Sequence, residues 1–159
     1  MLNKDNLIAM IIEKLSADLE LFAGAARNAH EAATHEENQP DNKYDTLALE
    51  ASYVAQGQAN RAQDLRCSLE AYRNMPLVPC TGVVRLSSLV TIEGEDGTRR
   101  TVFIGPVEGG MKISCKGEEI MVITPLSPLG TELVGQCHGD VVELKVGPNK
   151  TEYEIVEVA

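Results

Sequence analysis

The chain has 159 residues, of which 43% are hydrophobic and 24% are charged, and its formal net charge is −10 at pH 7. This composition predicts either one ordinary domain or two small globular units. The acidic surface repels a phosphate backbone, so any contact with nucleic acid is expected to be indirect. No apolar run approaches the roughly 18 residues of a membrane span, and neither a span nor a signal peptide is predicted.

The cysteines and histidines lack the spacings of a metal or redox site. The four cysteines include no Cys-x-x-Cys pair, and they are interpreted as reduced thiols of a cytoplasmic protein. His30 and His35 are five residues apart, whereas the zinc-protease motif needs two imidazoles four residues apart. No metal ion is therefore expected to be bound stably by this chain alone.

The composition changes sharply near residues 75–79. Before that point the chain has one proline, Pro40, and two glycines, Gly24 and Gly57, and the other prolines and glycines follow it. Proline and glycine break helices and mark turns. The change predicts long helices in the first half and short strands in the second.

In the first half, apolar residues recur at alternating spacings of three and four, which is typical of a helix with one continuous apolar seam. Two such seams lie on either side of a polar segment at residues 34–44, and this pattern predicts an antiparallel hairpin over residues 1–76. Large side chains lie at its root and alanines toward its turn, and each helix would be about 45 Å long. The seams are Ile8, Ile12, Leu15, Leu19, Phe22, Ala26, Ala29 and Ala33, and Ala48, Ala51, Ala55, Ala59, Ala62, Leu65, Leu69 and Tyr72.

The second half contains short β-type runs separated by turn signals. One segment differs, because Ser127 is suited to a helix N-cap, Pro128 to the first helical position and Gly135 to the helix end. The fold class predicted is α+β, with a helical hairpin followed by a mostly antiparallel sheet domain at 80–159 that carries one short helix. The predicted strands are 82–86, 88–92, 100–104, 111–114, 119–123, 141–146 and 152–158.

Several strings of the second half resemble the Gre-type transcription elongation factors, the GreA/GreB family. They are the run from Val122 to Gly130, then Leu133 and Gly135, and the Gly-Asp-Val-Val that begins at Gly139. In the first half, the likeness is supported by Asn42-Lys43-Tyr44-Asp45 and Gln56-Gly57. The resemblance implies a helical hairpin joined to an FKBP-like C-terminal domain.

The resemblance also implies a function. The C-terminal domain of such a factor docks on bacterial RNA polymerase, and the hairpin enters the secondary channel toward the active centre. Two acidic residues at the hairpin tip then help to hold a catalytic magnesium ion, so that the polymerase hydrolyses its own backtracked transcript. The chain itself would be no enzyme and would have no cofactor of its own. On the docking side, the resemblance points to Ser127, Pro128, Leu129 and Gly130. The structural alternative is that these residues only build the core.

The acidic residues of the predicted tip are Glu36, Glu37, Asp41 and Asp45. Asp41 and Asp45 form the best pair because, on a helix beginning near Pro40, they lie on one face at positions i and i+4. Magnesium needs only one or two carboxylates besides phosphates and waters. We therefore expect Asp41 and Asp45 to act, and Glu36 and Glu37 are the backup candidates. A structural alternative is that the acids complement a helix dipole or cap the helix.

Three other functions remain open at this point. The family's cleavage motif is Asp-x-x-Glu, whereas this chain has Asp-x-x-x-Asp, and a misplaced catalytic group loses much of its effect. A polymerase-binding inhibitor or regulator without cleavage activity is therefore one alternative. An FKBP-like prolyl isomerase or chaperone is another, although its cup needs aromatic walls and the sheet half has only Phe103 and Tyr153. A hairpin that dimerises as a coiled coil is disfavoured by its small alanine side chains, so a monomer is expected.

Overall fold

The structure, a computed structural model, describes residues 3–34 and 47–159. Long N-terminal helices are followed by a mostly antiparallel sheet with one short helix, so the predicted fold class is confirmed. None of the helices in these two ranges is long and apolar enough to cross a membrane. The elements are α1 (Lys4–Thr34), α2 (Leu47–Arg73), β1 (Leu89–Gly94), β2 (Arg99–Ile104), β3 (Lys112–Cys115), β4 (Glu118–Ile123), α3 (Pro128–Leu133), β5 (Val141–Val146) and β6 (Asn149–Val158).

The chain divides into two compact units. One is Ile12–Glu70, and the other combines Met1–Ile11 with Ala71–Ala159. We refer to them as the helical unit and the sheet unit. The division of the chain into domains at 1–76 and 80–159 stays a prediction.

In the helical unit, α1 and α2 lie side by side and antiparallel. The guanidinium carbon of Arg61 lies 6.0 Å from the centre of the Phe22 ring. Farther along, Ala26 of α1 and Ala55 of α2 line one shallow groove. Small side chains let two helices approach closely, so the predicted alanine rows suit this arrangement.

The buried face of α1 differs from the predicted seam at its start. Leu7, Ile11 and Leu15 are almost completely buried, whereas Ile8 and Ile12 are only half-buried. The first residues of α1 belong to the sheet unit, so a seam calculated for helix-to-helix contact alone does not describe them.

The sheet unit is built on six strands in the order β3-β4-β2-β1-β6-β5. All neighbouring strands are antiparallel except β2 and β4, which run parallel. One face of the sheet forms a core with α3, in which the buried side chains are Val84, Val90, Ile92, Val102, Ile104, Ile123, Leu129, Leu133, Val142 and Ile155.

The predicted strand at 82–86 is wrong, because this segment is not a strand of the sheet. Val83 forms only an isolated bridge with Cys137, and Val84 N donates to Gln136 O at 2.8 Å. The segment has β-type composition but no ladder partner, and its local preference alone does not make a strand.

Candidate docking surface

The start of α3 is built by the side chain of Ser127. Its hydroxyl accepts a hydrogen bond from Gly130 N at 3.1 Å and donates one to Thr124 O at 2.6 Å. Ser127 is thus the N-cap and Pro128 occupies the first turn, as the sequence predicts. Both choices follow from the unpaired N–H groups at a helix start.

Gly130 is held in a space that admits no side chain. A Cβ atom at this position would lie 1.9 Å from Thr124 O and 2.8 Å from Ser127 Oγ. The backbone of α3 therefore packs directly on the turn that precedes it. Leu129 and Leu133 point into the core and fix the helix on the sheet.

The same turn presents Leu126 to solvent. Ser127 N donates to Thr124 O at 3.0 Å, which closes a β-turn with Pro125 and Leu126 at its centre. The Leu126 side chain is 93% exposed. Single exposed apolar side chains are common on protein surfaces, so exposure alone does not assign a contact. Leu126 is a candidate contact residue because its turn is fixed by hydrogen bonds and loses little conformational freedom on binding.

Further apolar side chains are exposed near the other end of α3. Val134 follows the helix directly and is 38% exposed, and so is Val83. Gly135 N donates to Val84 O at 2.8 Å, which holds the two segments together. We call Leu126, Val83 and Val134 the α3 surface.

The four predicted docking residues have different positions in this arrangement. Ser127 and Gly130 form the cap of α3 and Leu129 is buried in the core, so these three build the surface. Pro128 is exposed and can contact a partner directly. Sequence analysis missed Leu126 as a candidate, although an apolar residue between Pro125 and Ser127 in a turn was a signal that could have revealed it.

Tyr72 ties the end of α2 to the sheet unit to which it belongs. Its hydroxyl donates to Val107 O at 2.6 Å, and its side chain is almost completely buried. Burial, with a smaller contribution from the negative charge of Glu108, raises the pKa of Tyr72 well above its usual value. The phenol therefore stays protonated and keeps its hydrogen bond.

The tip acids Glu36, Glu37, Asp41 and Asp45 lie outside the described residues, so their arrangement stays a prediction. Within the described ranges, no group of three or more His, Cys, Asp or Glu side chains is placed to hold a metal ion. Cys115 is buried and the other three cysteines are exposed, and none forms a disulfide.

The isomerase alternative needs aromatic side chains that are accessible at the surface of a cup. Phe103, one of the two aromatic residues considered for its walls, has no exposed surface. A buried ring cannot line a cup for a proline side chain.

A comparison with models of known protein families identifies the family to which this chain belongs. A family model described as "Transcription elongation factor, GreA/GreB, C-term" matches residues 79–159, which include β1 to β6 and α3. The chain belongs to the GreA/GreB family. The Ser-Pro of this Gre-family protein thus begins the helix around which the α3 surface is built.

Solved structures similar to this Gre-family protein include Gfh1 and GreA/GreB factors. The GreA factor homolog 1 (Gfh1) of Thermus thermophilus is 27% identical, with 93% of this chain and 94% of that chain covered and a TM-score of 0.38. Gfh1 of Thermus aquaticus is 23% identical, with 92% of each chain covered and a TM-score of 0.39. A GreA/GreB factor from Nitrosomonas europaea is 25% identical over 62% of this chain and 78% of that chain, with a TM-score of 0.37. A search of curated proteins found no match.

Proposed function

We propose that this Gre-family protein binds bacterial RNA polymerase and modulates elongation through the acidic residues between α1 and α2. The observation that carries the proposal is the family match over 79–159, because it covers the strands and α3 with the domain of a transcription elongation factor. The polymerase performs any hydrolysis, and this chain positions charge beside it.

The α3 surface is the proposed point of attachment to polymerase. Leu126 would enter an apolar depression of the partner, since its side chain is almost fully exposed and its turn is fixed by two hydrogen bonds to Thr124 O. A rigid turn loses little conformational freedom on binding, and this favours affinity. Pro128 and Val134 would border the contact.

Asp41 and Asp45 are proposed to reach the active centre of the polymerase, and Glu36 and Glu37 are the backup candidates for this role. Carboxylate oxygens are ligands that magnesium prefers, and an added pair completes a site that already holds phosphates and waters. The magnesium ion belongs to the polymerase. The spacing Asp-x-x-x-Asp leaves two outcomes, stimulated cleavage or occupancy of the channel without cleavage.

The test uses polymerase stalled in a backtracked state, with transcript shortening as the readout. Wild type is compared with Asp41→Asn and Asp45→Asn, and with Asp64→Asn as the matched control. Asp64 is exposed on α2 within the described residues, so its change removes one negative charge and leaves the tip as it is.

Each outcome has a defined meaning. Shortening that needs both Asp41 and Asp45 supports a cleavage factor. Loss of the polymerase's intrinsic shortening, relieved by the same two changes, supports an inhibitor. If wild type does not bind polymerase, the proposal is wrong, and if Asp64→Asn has the same effect as the tip variants, the tip has no special role.

A further inference from the structure

β5 is the edge strand on one side of the sheet. The hydrogen bonds to β6 show which residues of β5 pair within the sheet and which face outward. Ile155 N donates to Asp140 O at 2.9 Å, and β5 and β6 continue in a regular antiparallel register from Val141 opposite Glu154. Backbone groups alternate in direction along an antiparallel strand. Val142, Leu144 and Val146 therefore bond to β6.

The alternate residues Val141, Glu143 and Lys145 direct their N–H and C=O groups away from β6. Such a row on an edge strand is a template for pairing with another strand. Two valines of β5 are also open to solvent, Val141 at 60% and Val146 at 63% exposure.

Two pairs of directly opposed residues at this edge carry like charges. Glu143 stands opposite Glu152, and Lys145 stands opposite Lys150. Like charges directly opposite each other destabilise a strand pair. Lys150 Nζ lies 3.8 Å from Glu143 Oε1 on the diagonal, and both side chains remain substantially exposed. Glu132 of α3 lines one groove together with Glu143 and Lys145. A strand added to the β5 edge is a further place from which opposite charges can come.

We propose that two copies of this protein pair through their β5 edges in an antiparallel arrangement, with the two-fold axis at Leu144. In this register, Glu143 of each copy lies opposite Lys145 of the other, and these are residues whose backbone groups point outward. Val142, which is already buried in the core of its own chain, lies opposite Val146, so each exposed Val146 packs beside the edge of the partner's core. Two opposite-charge pairs and two valine pairs form at once.

The neighbouring registers are less favourable for reasons visible in the strand. An axis at Glu143 places the two Glu143 side chains opposite each other, which is a like-charge pair. An axis at Val142 places Glu143 opposite Val141 and leaves Lys145 beyond the paired strand. A single charged residue on an edge strand opposes pairing. Here a negative and a positive side chain, Glu143 and Lys145, flank Leu144, and this arrangement favours the register with its axis at Leu144.

The dimer is expected to be weak and reversible. One strand pair is smaller than the ~800 Å² per partner of a standard interface, and each chain carries a net charge of −10. We expect a Kd on the order of 100 μM. A concentration-dependent equilibrium then replaces the monomer that the sequence predicts.

Sedimentation of the 159-residue chain over a concentration series tests the pairing. Glu143→Lys and Lys145→Glu each create two like-charge contacts in the dimer, and each is expected to raise the Kd about tenfold or more. An equal mixture of the two variants restores both opposite-charge pairs. We therefore expect the mixture, and the double variant Glu143→Lys/Lys145→Glu, to associate nearly as well as wild type.

This pattern separates pairing from damage to the fold, because a misfolded variant is not rescued by a second one. Melting curves of each variant check that point. A mass of one chain for wild type up to about 1 mM, tenfold above the expected Kd, would overturn the proposal. So would a mixture that associates no better than its two components. Assemblies larger than a dimer would indicate pairing of β5 with the opposite edge, β3, and would also overturn it.

Discussion

Replacing Gly130 by alanine tests whether the cap of α3 is as tightly packed as its geometry indicates. The added Cβ would lie 1.9 Å from Thr124 O, 2.8 Å from Ser127 Oγ and 2.9 Å from Thr124 C. Two of these atoms are backbone and cannot turn aside. Relief requires the turn to move, which breaks the hydrogen bonds that Ser127 forms with Thr124.

The expected cost follows from three contributions to the free energy of unfolding. Forcing a methyl group into a packed site costs about 2 kcal/mol, and loss of a serine N-cap costs about 1 kcal/mol. Alanine is favoured over glycine within a helix by about 1 kcal/mol. The net expectation for Gly130→Ala is a loss of about 2 kcal/mol.

Gly57→Ala is the matched control. Gly57 lies inside α2, and a Cβ atom there would meet nothing within 4 Å. The same chemical change should therefore stabilise the protein by about 0.5–1 kcal/mol, because only the helix preference acts.

Urea unfolding followed by circular dichroism measures both variants. Opposite signs of the change in unfolding free energy are the expected result. If Gly130→Ala is as stable as wild type, the close approach of α3 to the turn is refuted. If Gly57→Ala loses as much as Gly130→Ala, the loss does not come from packing.

Three further predictions concern Leu126, Tyr72 and Asp96. Leu126→Ser should weaken binding to polymerase about 10- to 100-fold in an equilibrium binding assay, because burial of a leucine contributes about 1.5–3 kcal/mol. Its unfolding free energy should stay as in wild type. Tyr72→Phe should lower the free energy of unfolding by about 1 kcal/mol in the urea assay, because it removes one buried hydrogen bond. Because burial raises the pKa of Tyr72 in the folded chain, wild-type stability should be fully present below pH ~10 and fall as the pH rises further, which an alkaline titration of tyrosinate absorbance would follow. Asp96 accepts hydrogen bonds from Thr98 N at 3.0 Å and Thr98 Oγ1 at 2.9 Å. Both bonds lower the pKa of Asp96, and the backbone bond makes the larger contribution. The contribution of Asp96 to stability should therefore be present above the usual carboxyl pKa of ~3.9. It should be lost as the pH falls through the lower pKa that Asp96 has in the folded chain. An NMR titration of the carboxyl group would detect this pKa.

Each of these predictions has a control or a contrary outcome. Val146→Ser removes an exposed apolar side chain that is not part of the α3 surface. Measured at concentrations well below the expected Kd of the dimer, it should leave polymerase binding unchanged. A tyrosinate step that appears in wild type before unfolding, and is absent from Tyr72→Phe, would show that the phenol is accessible. An Asp96→Asn protein with the same acid unfolding profile as wild type would show that the turn hydrogen bonds make no net contribution.

Local sequence determined the elements of this protein because their signals are local. The predicted strand at 141–146 coincides with β5, and Ser127 and Pro128 begin α3 as their chemistry requires. N-caps, turns and apolar periods depend on a few neighbouring residues. The family strings from Val122 onward were visible for the same reason, since they consist of the residues that build this cap.

Tertiary structure decided which strands pair and which apolar side chains are buried, because local sequence signals carry no information about distant partners. The segment at 82–86 has strand composition but found no ladder partner, and the parallel pairing of β2 with β4 is set by the course of the whole chain. The burial of Leu7 and Ile11, in place of Ile8 and Ile12, depends on the unit to which the start of α1 belongs. Likewise, only the assembled fold leaves Leu126 exposed while it buries Leu129 three residues later. Hydrophobicity drives a side chain toward the interior, but the space available to it there is created by elements distant in the sequence.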